Sequence, residues 1–303
     1  MTTIAEPAKA QAVKKTRKPI DPVNAIIYVI MLFVSVICIF PILHTISISL
    51  SSPGPANAGL VTFYPQGLNF ENYVKITQDK RFLHAFGISV QRVIAVVVLS
   101  FFVSIMLAFP LSRSDKKFPL RPIYMWLLIF VMMFNSGIIP FYMIMRQLHL
   151  TNTFLGLVLP MIVNIFNVIL VMNYFRSIPK EMDESAAMDG AGPWRMLFQI
   201  YIPLSIPVLA TVTLFSIVFT WNEYFLGLIM VQDQNLIPLQ TYIQGIVVQI
   251  DPTRIATDPS AIQVSNKTLN AAKIFVTMIP IMIIYPFLQR YFINGIMLGS
   301  VKE

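Results

Sequence analysis

Charge is scarce in these 303 residues: only 12% are Asp, Glu, Lys or Arg, against 56% hydrophobic residues and a mean hydropathy of +0.71. So little polar surface cannot cover a water-facing globule of this length, and a lipid bilayer has to supply the apolar solvent. Cysteine is nearly absent. Cys38 stands alone inside an apolar run, which excludes a disulfide framework and reads as a small packing residue. The three histidines, His44, His84 and His149, are scattered, so no metal site is expected. Missing as well are the phosphate loop G-x-x-x-x-G-K-[ST], H-E-x-x-H and G-x-S-x-G. The chain has no usual ATP site of its own and no catalytic candidates, so an enzyme is not expected. The net charge of +8 does not point to nucleic acid, because the basic residues form no stripe interleaved with aromatics and gather instead between apolar runs.

A helix needs about 20 mostly apolar residues to cross the hydrocarbon core. Six stretches qualify, at about 24–50, 84–112, 122–147, 151–175, 206–231 and 269–294. An all-α integral membrane protein with six spans is expected, both termini on one side. Retained positive charge marks the cytoplasm. Lys9, Lys14, Lys15, Arg17, Lys18, Arg113, Lys116, Lys117, Arg121, Arg176, Lys180, Arg195, Arg290 and Lys302 lie on the side of the termini, against Lys75, Lys80, Arg81, Arg146, Arg254 and Lys267 in the opposite segments. Both termini are therefore expected to be cytoplasmic. The domain reading is a tail at 1–22, a transmembrane domain at 23–298 and a short tail at 299–303. Arg92 and Lys273, within spans two and six, are expected near the outer ends, where long stems can snorkel. Prolines such as Pro110, Pro140, Pro160 and Pro280 predict kinked helices.

The segment Ile178–Pro207, IPKEMDESAAMDGAGPWRMLFQIYIPLSIP, is too polar to cross lipid. Pro179 with Glu181, Asp183 and Glu184 in the next turns suits a helix start, and Asp189-Gly190 suits its stop. Pro193 opens a second short helix in which Trp194, Leu197, Phe198 and Tyr201 recur at helical spacing. A compact helix–turn–helix on the cytoplasmic face is expected.

Glu184-Ser185-Ala186, followed after three residues by Gly190, within I-P-x-E-x-x-E-x-A-x-x-D-G-A and before F-x-x-I-x-x-P-x-x-x-P, resembles the coupling loop of binding-protein-dependent ABC importer permeases. Ser185 departs from the usual Glu-Ala-Ala wording. FTWNEYFLGL (Phe219 to Leu228), NSGIIPFY (Asn135 to Tyr142), NIFNVILVMNYFRSIP (Asn164 to Pro179) and YPFLQRYFINGIMLGSVKE (Tyr285 to Glu303) resemble the carbohydrate branch of that family. The resemblance implies a type I permease fold and a coupling helix docked on a separate ATPase through Glu181, Glu184, Ser185, Ala186, Asp189, Gly190 and Ala191. It implies that Gly295, Gly299 and Lys302 reach toward the same subunits. It also implies a second homologous permease, a dimer of ATP-binding subunits that hold ATP and Mg, an extracytoplasmic solute-binding protein and an oligosaccharide substrate. The location it implies is the bacterial cytoplasmic (inner) membrane. No cofactor is expected in this chain.

Polar side chains within spans are costly and tend to face a bundle interior or a wet path. Asn164 and Asn167 share one helix face, and Trp221 and Tyr224 another, with Asn222 and Glu223 between them. With Asn135, these are the candidates for the substrate pathway, since aromatic faces beside amides and a carboxylate suit a sugar. The same residues equally suit ties between helices. An ion-coupled secondary transporter using Glu223 or Lys273 is the rival from another class, and a permease of the same superfamily for another solute is the nearest alternative.

Overall fold

The computed structural model describes residues 22–134, 136–248 and 267–300, with the backbone alone at 248, 288 and 290–300. Among the described residues every regular element is helical. The helices are α1 (Pro22–Ser49), α2 (Pro53–Asn57), α3 (Glu71–Gln78), α4 (Lys80–Ser112), α5 (Arg121–Met133), α6 (Ile138–Gln147), α7 (Phe154–Val158), α8 (Ile165–Ser177), α9 (Lys180–Met188), α10 (Pro193–Met196), α11 (Ile202–Leu204), α12 (Ile206–Asn222), α13 (Phe225–Met230), α14 (Leu239–Val248) and α15 (Lys267–Ser300). A single π-helical turn, Leu197–Tyr201, joins α10 to α11.

Among the described residues three helices are long and apolar enough to cross a bilayer, and up to six spans result if each bent pair of helices is counted as one. α1, α4 and α15 are continuous where spans one, two and six are expected. Spans three, four and five are not the unbroken rods that hydropathy implies. The third is α5 and α6 with a break between them, where Gly137 takes a φ of 76° that other residues adopt only with strain. In the fourth, Phe154–Met161 and Ile165–Ser177 meet at 42°, and the Asn164 side chain accepts the Asn167 N–H to start the second half. The fifth expected span stops at Asn222 and resumes as α13, while at its other end α12 meets Pro193–Leu204 at 81°. Pro203 and Pro207 flank that bend, each removing a backbone donor from the ladder. Apolar windows measure avoidance of water, and a helix broken inside protein avoids it equally well.

The packing is the inverse of a water-soluble domain. Large apolar side chains cover the outside, among them Trp126, Met133 and almost the whole of α1 from Val23 to Phe40. Helix contacts gather in two main clusters along the bundle. One holds Ile105, Ala108, Leu111, Val168, Val171, Phe175, Leu197, Tyr201 and Val212 and lies toward the end that carries α9. The other holds Ile76, Phe82, Ala85, Trp221, Leu239, Ile243 and Ala272 and lies toward the opposite end. Asn135 and Lys302, and the segments 1–21, 249–266 and 301–303, lie outside the described residues; Gly295 and Gly299 fall within the α15 helix.

Candidate functional site: a capped elbow and buried charge pairs

The segment between α8 and α12 folds as the helix–turn–helix expected of it. α9 begins after Pro179 with Glu181 and Asp183 in its first turn. It ends in a Schellman motif, the Ala191 N–H donating to the Ala186 carbonyl at 2.9 Å and the Gly190 N–H to the Ala187 carbonyl at 3.1 Å. Gly190 sits at φ 72°, and a Cβ there would meet nothing within 4 Å, so backbone conformation rather than space calls for glycine. Glu181, Glu184, Ser185, Asp189 and Gly190 face outward, while Ala186 is buried against the bundle and Ala191 is half-buried. Trp194 is exposed and stacks on Phe198 at 6.2 Å.

The inner face of the elbow holds residues to which hydropathy and helix-start reasoning gave no such role. Asp183 turns inward, where the Arg113 guanidinium pairs with one carboxylate oxygen and the Tyr201 hydroxyl donates to the other at 2.6 Å. Arg113 packs into the corner of two edge-on rings, with its Cζ 4.2 Å from the Phe109 centroid and 4.4 Å from that of Tyr201. The one hint in the sequence was an acid four residues past a helix-opening proline, which helix-start chemistry already accounts for.

The charged residues within spans are buried and paired, which corrects the expectation that Arg92 and Lys273 snorkel. Arg92 is 1% exposed and forms an ion pair with the Glu223 carboxylate. It also donates to the Leu157 carbonyl at 3.1 Å and the Glu223 carbonyl at 3.2 Å, with Met161 Sδ 2.8 Å away. Glu223 Oε1 accepts the Leu226 N–H at 2.6 Å, so one carboxylate holds Arg92 and caps α13 at the break in the fifth span. Lys273 donates to Asp79 at 2.6 Å and to the Tyr242 hydroxyl at 2.9 Å. Asp79 in turn caps α4 by accepting the Arg81 and Phe82 N–H groups. Burial pushes the Asp79 carboxyl up, but hydrogen bonds from Lys273 and Phe82 outweigh it and hold the group below its ordinary value.

The candidate pathway residues divide. Asn167 is buried, donating to Ser216 Oγ at 3.1 Å, and Trp221 is 4% exposed, its indole N–H donating to the Thr277 carbonyl at 3.1 Å and its ring edge-on to Phe86. Both tie helices together. Asn222 and Tyr224 are exposed, and Asn164 is half-buried at its cap. Trp221 and Asn222 meet Gln240, Ile243, Ile274, Thr277 and Met278 around a cavity of about 290 Å³; Asn164 and Asn167 do not line it. Gln240 was not foreseen, because it lies in the segment between spans five and six. Among the described residues no group of three or more His, Cys, Asp or Glu converges as a metal site would require.

Broken apolar helices, charges neutralised inside the bundle and one capped elbow at its end define the class: a polytopic membrane permease. The sequence profile of the family described as "Binding-protein-dependent transport system inner membrane component" matches residues 114–298, and the chain belongs to that family. It is 32% identical to Protein LplC of Bacillus subtilis (strain 168) over 272 residues, covering 89% of this chain and 91% of that protein. It is 31% identical to the Polygalacturonan/rhamnogalacturonan transport system permease protein YtcP of the same organism, covering 92% and 98%. A chain of the crystal structure of a bacterial ABC transporter involved in the import of the acidic polysaccharide alginate superposes with a TM-score of 0.81 at 31% identity, covering 92% of this chain and 100% of that one. The fold is that of a type I importer permease, and the protein is an ABC transporter permease, a transport component and not an enzyme.

Proposed function

We propose that this chain forms half of the translocation pathway of an ATP-driven importer of oligosaccharides or related carbohydrates, seated in the bacterial cytoplasmic (inner) membrane with both termini in the cytoplasm. A second, homologous permease supplies the other half. A pair of ATP-binding subunits, which hold ATP and Mg, drives the cycle, and an extracytoplasmic binding protein delivers the solute. Carbohydrate as cargo is supported by the named substrates of YtcP and of the alginate importer, both matched along nearly their whole length. The excess of lysine and arginine on the elbow side supports the orientation.

One observation carries the coupling: a short helix, closed by a glycine in the left-handed region, presents Glu181, Glu184, Ser185 and Asp189 to solvent at the end of the bundle. An acidic, rigid protrusion of this kind suits a groove on a partner subunit. When the ATPases close around nucleotide, they move the elbow and shift the balance between inward- and outward-open arrangements, and differential contact in the two states carries the coupling. Around the cavity at Trp221, the Asn222 and Gln240 amides provide donors and acceptors for sugar hydroxyls beside apolar side chains.

The test is Glu184→Lys and, separately, Gly190→Pro. Both variants are expected to insert and to assemble with the second permease normally. Substrate-stimulated ATP hydrolysis in proteoliposomes is expected to fall by about tenfold in Glu184→Lys, the effect of one lost charge-assisted contact, and at least as far in Gly190→Pro, because proline neither adopts a φ of 72° nor donates to the Ala187 carbonyl. Undiminished transport in both variants would remove the docking role from the elbow.

A further inference from the structure

The elbow's covalent joints are poor transmitters of force. Toward α8 the chain passes through Ile178 at ψ 131°, outside any helix, and toward α12 it bends by 81° at Ser205. The first joint lies outside the helical ladder, and at the second, although the Ser205 N–H still donates to the Tyr201 carbonyl and the Leu209 N–H to the Ser205 carbonyl, Pro203 and Pro207 contribute no donor, so both are weaker than an unbroken helix. What fixes the orientation of α9 is the side-chain knot beneath it.

We infer that Asp183, Arg113 and Tyr201 form the joint that passes displacement of the elbow to α4, with Asp183 as the positioning residue. This rests on the docking reading above. Both Asp183 oxygens are engaged by different elements: Arg113, just past the end of α4, and Tyr201, at the end of the π turn. The Arg113 side chain is 12% exposed, it also donates to the Tyr201 hydroxyl at 3.0 Å, and it packs into the corner made by the Phe109 and Tyr201 rings. The Tyr201 ring packs edge-on against Phe109 of α4 at 5.2 Å and Phe175 of α8 at 5.3 Å, inside the buried cluster. The π turn, a rare geometry enriched at functional sites, follows Trp194 on the outer surface and ends at Tyr201 in the core. A push on α9 therefore reaches α4 through directed, charge-assisted bonds. Arg113 Nη2 is buried with no hydrogen-bond partner, which leaves the knot a free donor for an acceptor brought in by a shifted elbow. Lys117 lies 3.6 Å from Asp183 but is 62% exposed, so it adds screened charge rather than direction.

The experiment uses the assembled transporter, with partner permease, ATPase subunits and loaded binding protein, in proteoliposomes. ATP hydrolysis and solute uptake are measured together for Asp183→Asn, Asp183→Glu and Tyr201→Phe, and ATPase retention is measured by co-purification. Asp183→Asn is expected to retain the ATPase subunits yet spend at least about ten times more ATP per solute, the scale of one hydrogen bond between charged groups. Asp183→Glu is expected to recover part of the ratio. Tyr201→Phe keeps the ring in the core and removes only the hydroxyl, so it reports even if Asp183→Asn fails to assemble, and it is expected to raise the ratio to a smaller degree. An unchanged ratio in Tyr201→Phe, with uptake and hydrolysis falling in proportion in any Asp183 variant that assembles, overturns the inference and leaves the docking reading standing. Full ATPase retention and transport in Glu184→Lys and Gly190→Pro would overturn the docking reading itself.

Discussion

Arg92→Leu is expected to cost about 3–5 kcal/mol of folding stability, the loss found when one partner of a buried ion pair is removed. The Glu223 carboxylate, 13% exposed, would then be left in an apolar interior with its charge uncompensated. The damage extends beyond one bond, because Arg92 joins Leu157, at the kinked fourth span, to Glu223, at the break in the fifth. Glu223→Leu is expected to be about as costly by the converse route, stranding a guanidinium that is 1% exposed. The informative variant carries both changes. With both charges gone and apolar volume kept, the double substitution is expected to recover most of the loss, since desolvation of the two ions cancels much of their attraction. Thermal unfolding of the detergent-solubilised protein reads all three. Singles that unfold like the unmodified chain, or a double that loses the sum of its singles, would show that the pair does not pin the breaks. Uptake by the double variant in proteoliposomes bears on ion-coupled transport through Glu223: a double variant that still transports leaves that mechanism without its coupling group.

Trp221→Ala is expected to be the other severe change, at about 3–5 kcal/mol for a large aromatic removed from a packed interior. Its indole N–H donates to the Thr277 carbonyl on α15, and its ring meets Phe86 on α4 at 5.6 Å, so the substitution leaves a cavity at a three-helix junction. Loss of uptake in that variant reports collapse as much as sugar binding. Asn222→Ala and Gln240→Ala separate the two. Asn222 is exposed and its side chain bonds only one turn back, to the Val218 carbonyl, while Gln240 lies on the cavity wall. Asn222→Ala is expected to leave stability within about 0.5 kcal/mol, as exposed polar substitutions do, and Gln240→Ala, at a half-buried position, within about 1 kcal/mol, while each lowers initial uptake by several-fold, about 1 kcal/mol of lost hydrogen bonding to solute. Unfolding temperature and uptake measured on the same preparations decide it. Wild-type uptake in both amide variants would place the solute elsewhere and leave Trp221 as a packing residue alone.

The candidate site was legible where its chemistry is local. Pro179, the acids that follow it and Asp189-Gly190 specify the α9 elbow within a dozen residues, because a helix start and a left-handed cap are closed by hydrogen bonds between near neighbours. Asn167 and Trp221 were legible as polar groups in spans, but whether each faces solute or a neighbouring helix depends on the rotation of its helix. Asp183 was masked by its position, since an acid in a first turn already has a local explanation.

The sequence by itself determined that the chain lives in lipid, roughly where it crosses, and that one polar elbow interrupts the crossings, because hydropathy and capping are summed over short windows. Only the tertiary structure decided where three of those crossings break and which charges meet: Arg92 with Glu223 across 131 residues, Arg113 with Asp183 across 70, Lys273 with Asp79 across 194. The physical reason is that lipid is as apolar as leucine. An apolar helix is content in any rotation and beside any neighbour until the burial of its few polar groups selects one.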